Sequence, residues 1–335
     1  MNTGLILIGA SVLAAVITLG ILPYLIRKFK EKGMTGKDVH KPGAEIPEMG
    51  GVAVALGFFS GLFLILFFIK AEYPAIIAAC IAILGAVIIG VIDDLINIRQ
   101  RLKGALPFFF GIPLGLVLAD RFIAIPFVGD LNVGVLIFVL VPLAITCASN
   151  ATNMLEGFNG LSSGMVLIMG ATLAFLGALQ GEELSTFFLL PMLSALVVFL
   201  FFNSYPSRIF PGDTLTLFMG AVIAASAIMS NLYVFALILY SPFIAEFFLK
   251  FFGKLKRSRK NGWTRTVWAQ SFGTVGIDKT LHYTGPVESL THLLMKNFVL
   301  KEYQLVFMFW GMEFMLAIVT VLLFFLSEKF AVVMS

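Results

Sequence analysis

Ten runs of mostly apolar residues recur along this chain of 335 residues, most of them close to the length of about 20 residues that spans a bilayer as an α-helix. Hydrophobic residues make up 59% of the sequence and charged residues only 13%. Because a chain in lipid must satisfy its backbone hydrogen bonds internally, the sequence predicts an all-α polytopic membrane protein with about ten transmembrane helices. The predicted spans are 4–26, 50–69, 75–92, 105–119, 134–152, 161–179, 185–202, 214–229, 231–250 and 305–326.

The basic residues predict how these helices are oriented. If Lys250 is counted with the loop that follows it, 20 of the 23 Lys and Arg residues fall on one side of the membrane. Cytoplasmic loops carry such an excess, so that side is assigned to the cytoplasm and both termini are expected outside it. Either orientation in the membrane or contact with anionic lipid explains these basic residues, so nucleic acid is disfavoured as a partner. The cytoplasmic loops are then 27–49, 93–104, 153–160, 203–213 and 251–304.

The chain is interpreted as a single integral membrane domain, 1–335. Within it, the long cytoplasmic loop 251–304 is expected to contain short extended pieces, and 287–299 a helix lying at the membrane interface. Cys80 and Cys147 both fall in apolar segments, and the three His residues are scattered. Neither residue type has the spacing of a metal site.

Asp93 and Asp94 lie side by side at the end of the third apolar run, where two carboxylates are costly. A carboxylate at a bilayer boundary resists burial, and the C-terminal end of a helix already carries partial negative charge. The pair is therefore expected to act on a cation, either a divalent metal or a basic residue of the following segment, which contains Asn97 and Lys103. The alternative is a solvated loop whose charges pair with each other.

Asn150, Asn153 and Glu156 are spaced by three residues, which places them on one face if the segment is helical. Three side-chain oxygens on one face could bind a hard metal ion or sugar hydroxyls. The alternative is that the Asn residues and the glycines that follow end the helix.

Two further polar segments precede helices. Glu48 comes just before Gly50-Gly51, where free amides at a helix N-terminus suit an anionic ligand. Phe210 and Asp213 flank a Pro-Gly turn. Phe210 could stack on a base or pack in the interior, and Asp213 could bind a ligand or cap the eighth span.

All of these segments lie on the predicted cytoplasmic side, so they are interpreted as one composite site. Its side chains are carboxylates, amides and cations. Mg²⁺ takes a few protein oxygens and fills its remaining positions from phosphate and water. The site is therefore expected to bind Mg²⁺ and phosphates.

These segments, in this order, resemble the polyprenyl-phosphate N-acetylhexosamine-1-phosphate transferase family over nearly the whole chain. The motifs that carry the resemblance are Asp93-Asp94 with Lys103, Asn150–Leu161, and Asn203 through Asp213-Thr214. The resemblance implies ten spans with outward termini and an active site made by cytoplasmic loops. It also implies the reaction. The phosphate of a polyprenyl carrier attacks the β-phosphorus of a UDP-sugar, UMP leaves, and a polyprenyl diphospho-sugar forms; a covalent Asp–phosphosugar route is the alternative mechanism.

The same resemblance implies roles for individual residues. The catalytic residues are Asp93, Asp94 and Lys103, of which Lys103 holds phosphate oxygens. Mg²⁺, or Mn²⁺ in its place, is bound by Asn153 and Asp213. The substrate-binding residues are Glu48, Asn97, Asn159, Asn203, Phe210, Arg265 and His282. Among them Phe210 stacks on the uracil, and Arg265 and His282 contact the sugar.

The segment 156–160 has Asn159 where bacterial relatives usually carry a second Asp, which favours the archaeal and eukaryotic branch. The implied substrates are UDP-N-acetylglucosamine and dolichyl or another polyprenyl phosphate, in the first step of lipid-linked oligosaccharide synthesis for glycosylation. The implied location is the cell membrane, or the endoplasmic reticulum membrane in a eukaryote, among membrane lipids and compatible with a homodimer. The alternatives are a UDP-MurNAc-pentapeptide-type transferase, a secondary transporter and a CDP-alcohol enzyme. The first is disfavoured because that branch carries a histidine run in its last cytoplasmic loop, where this chain has His282 but no such run.

Overall fold

The computed structural model of the chain describes residues 2–38, 45–69, 73–118, 122–261 and 268–334. Within these ranges the chain forms a bundle of long apolar helices joined by short strands and turns. The helices are α1 (Thr3–Glu31), α2 (Gly51–Phe68), α3 (Tyr73–Ile96), α4 (Gln100–Val117), α5 (Ile137–Met154), α6 (Leu161–Gln180), α7 (Glu183–Asn203), α8 (Gly212–Met229), α9 (Tyr233–Leu239), α10 (Ser241–Asn261), α11 (Leu290–Asn297) and α12 (Glu302–Met334). The strands are β1 (Thr35–Lys37), β2 (Glu45–Pro47), β3 (Phe122–Ile125), β4 (Gly129–Asn132), β5 (Thr274–Val275), β6 (Thr280–His282) and β7 (Leu300–Lys301).

Every predicted span coincides with a helix or, in one case, with a pair of helices. In the described part of the chain, eight helices are long and apolar enough to cross a membrane, and a bent pair makes a possible ninth span. The chain is therefore a multi-pass membrane protein. The fourth predicted span corresponds to α4, which is not among the eight because it begins with the polar segment Gln100–Lys103. The count of ten and the outward termini stay predictions.

The ninth predicted span, 231–250, is not one straight helix. It consists of α9 and α10, which meet at Tyr240 with a bend of 60°, and α10 continues to Asn261. Pro242 explains the break, because it has no backbone N–H and disfavours helical geometry at the residue before it. The predicted span 231–250 is therefore a broken pair of helices, a feature that hydropathy alone does not predict.

Helix α8 lies at the centre of the bundle. Every residue from Thr214 to Met229 is buried, although α8 is one of the shortest spans. It packs against α3 and α5 most extensively and also against α2 and α7. The polar first turn of α8, at Gly212 and Asp213, is therefore surrounded by the ends of other helices.

Glycines bring α3, α5 and α8 close together. A Cβ atom on Gly90 of α3 would lie 2.4 Å from the Cα atom of Thr214, and one on Gly220 of α8 would lie 2.5 Å from the carbonyl oxygen of Ala148. Neither backbone could move away easily, so a larger residue would push the helices apart. The contact at Gly90 places the C-terminal part of α3 against the first turn of α8.

Three small antiparallel sheets connect the helices. β1 pairs with β2, β3 pairs with β4, and β6 pairs with both β5 and β7. The third sheet and α11 lie within the loop 251–304. Strands β1 to β4 were not expected from the sequence, because each has only three or four residues.

Candidate active site

A cavity of about 370 Å³ lies where the end of α3 meets the start of α8. Carboxylates, two amides and aromatic rings form most of its wall. The lining residues are Lys37, Asp38, Glu48, Asp93, Asp94, Asn97, Glu156, Gly157, Phe158, Asn159, Phe210, Pro211, Gly212, Asp213 and Phe272. Such an acid-rich wall beside aromatic rings suits a metal-bound phosphate next to a flat ring.

Lys103 joins two of these carboxylates. Its side chain is buried, its Nζ atom donates a hydrogen bond of 2.8 Å to Asp93 Oδ2, and it also contacts Asp213. Asp93 is held further by the backbone N–H of Ile98, which donates to Oδ1 at 2.6 Å. A buried charge needs such partners, because desolvation is costly. The α4 residue Lys103 thus links the end of α3 to the start of α8.

Asp94 has a different set of contacts from its neighbour. Its Oδ1 atom accepts the backbone N–H of Asp213 at 2.7 Å, and its Oδ2 atom accepts the N–H and the hydroxyl of Thr214 at 3.1 and 2.6 Å. These N–H groups belong to the first turn of α8, which has no partner for them within the helix. Asp94 therefore caps α8 from a neighbouring helix.

The segment before α2 is hydrogen-bonded to the segment before α8. The N–H of Phe210 donates to the carbonyl of Pro47 at 2.7 Å, and the N–H of Gly50 donates to the carbonyl of Phe210 at 2.9 Å. These bonds place Glu48 and Phe210 on the same cavity wall. Burial, together with the nearby Asp94 carboxylate, raises the pKa of Glu48 above its ordinary value.

The turn between α5 and α6 forms another part of the wall. Helix α5 ends at Met154, and Gly160 adopts a left-handed conformation before α6 begins. The hydroxyl of Ser162 donates to Glu156, and burial raises the pKa of Glu156 to about 7. Because α5 ends at Met154, Glu156 does not share a helical face with Asn150 and Asn153, and the alternative, in which the helix ends within this segment, is the one observed.

Helix α12 holds this turn from the other side. The N–H of Asn159 donates to Glu302 Oε1 at 3.0 Å, and both residues are buried. The indole N–H of Trp310 donates to the carbonyl of Gly160 at 3.2 Å. Gly164 gives the indole room, since a Cβ there would lie 2.1 Å from the ring. The position of Asn159 in the cavity therefore depends on α12.

A buried ion pair on α10 anchors the turn and the loop that follows α10. Glu246 and Lys250 lie 2.9 Å apart, and Lys250 also donates to the carbonyl of Met154 at 2.5 Å and to the hydroxyl of Ser271 at 2.9 Å. Glu246 accepts the hydroxyl of Ser289 at 2.8 Å. The residue after Ser271 is Phe272, whose ring packs on Phe158 at 6.1 Å in the cavity wall.

Most of the residues predicted for the site are brought together. Seven of them line the cavity, and Lys103 contacts two of these seven. The seven are Glu48, Asp93, Asp94, Asn97, Asn159, Phe210 and Asp213. Asn97 reaches this position in a left-handed conformation, with φ of 52°, which Asn tolerates better than most residues.

Three predicted residues do not reach the cavity wall, and a fourth, Arg265, lies outside the described residues. Asn203 is buried and donates to the carbonyl of Ile209 at 3.0 Å, so it shapes the turn that carries Phe210. His282 lies on β6 with its Nε2 atom 2.8 Å from the hydroxyl oxygen of Thr280. Asn153 occupies the last turn of α5 without lining the cavity. Local sequence spacing did not show which way these side chains point.

Several residues of this region were not assigned a role from the sequence. Lys37, Asp38 and Phe272 line the cavity, whereas Glu246 and Lys250 support it from α10. Glu246 did carry a signal, since an acid inside an apolar span is costly and needs a partner. Lys250, four residues later on the same helix, is at the spacing of such a partner.

The described residues contain no group of three or more His, Cys, Asp or Glu side chains with the geometry of a metal site. This does not conflict with Mg²⁺, which commonly takes one or two carboxylates and completes its shell from water and phosphate. Asp213 is the predicted metal ligand that lines the cavity, and its oxygen donors are of the kind that Mg²⁺ prefers. The donor chemistry therefore fits this ion.

Comparisons with known proteins identify the family of this chain. The family model described as Glycosyl transferase family 4 matches residues 75–231. A candidate UDP-N-acetylglucosamine–dolichyl-phosphate N-acetylglucosaminephosphotransferase of Saccharolobus solfataricus is 37% identical, over 90% of this chain and 91% of that protein. The Schizosaccharomyces pombe protein named as the same transferase is 28% identical over 72% of this chain and 66% of that protein. A phospho-N-acetylmuramoyl-pentapeptide-transferase of Shouchella clausii is 31% identical over 63% of this chain and 69% of that protein. The chain therefore belongs to glycosyl transferase family 4, the polyprenyl-phosphate N-acetylhexosamine-1-phosphate transferases that its motifs resemble.

Proposed function

We propose that the protein transfers N-acetylglucosamine-1-phosphate from UDP-N-acetylglucosamine to dolichyl or another polyprenyl phosphate, releasing UMP. The observation that carries this proposal is the contact of Lys103 with both Asp93 and Asp213 at the cavity. The names of the archaeal and yeast relatives support the donor and the acceptor. The reaction would begin lipid-linked oligosaccharide synthesis at the cytoplasmic face of the cell membrane.

The chemistry requires two anionic phosphates to approach each other. An oxygen of the lipid phosphate forms a bond to the β-phosphorus, and the bond from that phosphorus to the bridging oxygen breaks, so UMP leaves with the electron pair. Phosphoryl transfer depends on in-line positioning and charge neutralisation more than on covalent catalysis. The ammonium of Lys103 supplies positive charge at the cavity, and Asp93 orients it.

Mg²⁺ is the expected metal, with Mn²⁺ as an alternative. When bound, it would neutralise charge on the diphosphate and polarise the phosphoryl oxygens. Asp213 would hold it from the cavity wall. Asn153, assigned to the same ion by resemblance, would have to turn toward the cavity. Lys103 would then shift its contact from Asp213 toward the phosphates while keeping Asp93 as its partner.

The aromatic part of the cavity suits the nucleoside. Phe210 offers a ring face, and Asn159 offers an amide that can form hydrogen bonds with the edge of uracil. Glu48 and Asn97 lie on the same wall and could bind hydroxyl groups of the ribose or the sugar. The ring of Phe210 and the carboxylates that contact Lys103 therefore line the same cavity.

The direct test uses purified protein in detergent with UDP-N-acetylglucosamine, dolichyl phosphate and Mg²⁺. We expect UMP release and a dolichyl diphospho-sugar product, and we expect both to stop after chelation and to return with added Mg²⁺. UDP-N-acetylgalactosamine and UDP-MurNAc-pentapeptide are the comparison donors. The second matters because of the similarity to the Shouchella clausii enzyme. No UMP release from any UDP-sugar would reject the transferase.

A further inference from the structure

A second cavity, of about 270 Å³, lies beside the start of α12. Its wall includes Lys279, Lys301, Glu302, Tyr205 and Tyr303. The two tyrosine rings are 6.2 Å apart and come from the turn after α7 and the first turn of α12. Glu302 lines this second cavity and also accepts the hydrogen bond from Asn159, which lines the first cavity.

The fold places two lysines on one wall. Thr280 of β6 pairs with Lys301 of β7 and Lys279 comes just before Thr280, so both lysines lie at this end of the sheet, and both line the cavity. Like charges around one cavity repel each other. Among the described residues neither lysine takes part in an ion pair, and the one acid on the wall, Glu302, is buried and accepts the N–H of Asn159. An anion in the cavity would relieve this repulsion.

Exposed apolar residues beside the cavity indicate where the anion comes from. Ile277, in the turn between β5 and β6, is fully exposed, and Phe307 of α12 is 58% exposed. An exposed isoleucine at a hairpin turn next to a membrane span is explained if the turn dips into the lipid interface. Tyrosines are frequent at this level, where the ring contacts lipid and the hydroxyl contacts water.

We propose that this cavity binds the phosphate of an anionic lipid headgroup. The Lys279 and Lys301 ammonium groups would bind the phosphate, and the Tyr205 and Tyr303 hydroxyls would donate to it or to the headgroup. Lysine side chains reach the headgroup level by extending along apolar surface. The site differs from the first cavity in its lining residues and is not needed to explain the transfer reaction.

The test measures lipid binding without any UDP-sugar, so its outcome does not depend on the proposed transferase activity. Delipidated protein in detergent is titrated with phosphatidylglycerol, and bound lipid is counted by native mass spectrometry. The variant is Lys279→Ala with Lys301→Ala. The matched control is Lys296→Ala, an exposed lysine in the last turn of α11 that does not line the cavity.

The double variant should bind phosphatidylglycerol about 30-fold more weakly, since each of the two lysines near an anionic surface contributes about 1 kcal/mol. The control should bind like the wild type. Unchanged binding in the double variant, or an equal loss in Lys296→Ala, would overturn the proposal. So would phosphatidylcholine binding as tightly as phosphatidylglycerol. Inorganic phosphate that binds as tightly as the lipid would instead assign the cavity to a free anion and reject the lipid.

Discussion

Lys103 on α4 contacts Asp213 on α8, although 110 residues separate them in sequence. The same ammonium donates to Asp93 at 2.8 Å, so one cation connects three helices at the cavity. Breaking such a buried pair leaves an uncompensated charge, which typically costs about 3–5 kcal/mol. The contact is therefore important both for the fold and for the proposed chemistry.

Replacing Lys103 with Met should lower kcat by about 10²–10³-fold, the loss typical when one charge-stabilising donor is removed. The length of the side chain is kept, but no positive charge remains beside Asp93 and Asp213. Rates of UMP release are compared after the folded fraction is measured by size-exclusion chromatography. Arg101→Met is the control, because Arg101 is an exposed cation on the same helix. Full activity in the Lys103 variant would show that its charge is not used.

Asp94 should contribute more to stability than a purely catalytic residue would. Asp94→Ala removes three hydrogen bonds to the first turn of α8. A lost cap of this kind costs about 1–2 kcal/mol. Thermal unfolding in detergent should therefore show a lower Tm for Asp94→Ala, and Thr214→Val should show a smaller decrease because it removes one of the three. A Tm equal to that of the wild type would contradict the capping role.

The sequence predicted the positions of the helices and many of the residues that line the cavity better than the direction of each side chain. Runs of apolar residues locate spans because hydropathy is a property of the local sequence. The bend at Tyr240 follows from one proline, Pro242, whose effect on helix geometry does not appear in a hydropathy profile. The contrast between Asp93 and Asp94 could not be predicted, because it depends on which neighbouring helix each carboxylate faces.

The residues that support the cavity were harder to predict than those that line it. Glu302 holds Asn159 across 143 positions of sequence, and Lys250 holds the carbonyl of Met154 across 96. Long-range contacts of this kind leave no periodic pattern in a single sequence. Asn203 is the opposite case. It lies in a recognisable motif, but its amide binds a backbone carbonyl instead of facing the cavity.

Glu156 should make stability depend on pH. Its pKa in the folded protein is about 7, above the ordinary value of 4.5, because the carboxyl group is buried. The folded state therefore favours the protonated form, so this group stabilises the protein fully at acidic pH and progressively less as pH rises from about 4.5 to about 7.

In Glu156→Gln this dependence should disappear, since the amide does not titrate. The measurement is the Tm of both proteins in detergent at pH 5 and pH 8. We expect the change in Tm between pH 5 and pH 8 to be smaller in the variant than in the wild type. If the variant and the wild type lose the same Tm between pH 5 and pH 8, Glu156 does not titrate in this range.

Glu302 should position Asn159 without touching the substrate. Its Oε1 atom accepts the Asn159 N–H at 3.0 Å in a buried environment. Glu302→Ala leaves that N–H without its acceptor, a loss of about 1–3 kcal/mol, and frees the turn that carries the proposed uracil contact. We expect KM for the UDP-sugar to rise on the order of tenfold, with a smaller effect on kcat.

Glu302→Gln provides the matched comparison, because its carbonyl oxygen can still accept the same hydrogen bond. It should keep KM near the wild-type value. If the negative charge itself were essential, Glu302→Gln would raise KM as much as Glu302→Ala does. Steady-state kinetics with varied UDP-N-acetylglucosamine at saturating lipid phosphate separates the two cases. A decrease in kcat alone, with KM unchanged in both variants, would show that Glu302 acts on the chemical step and not through the position of Asn159.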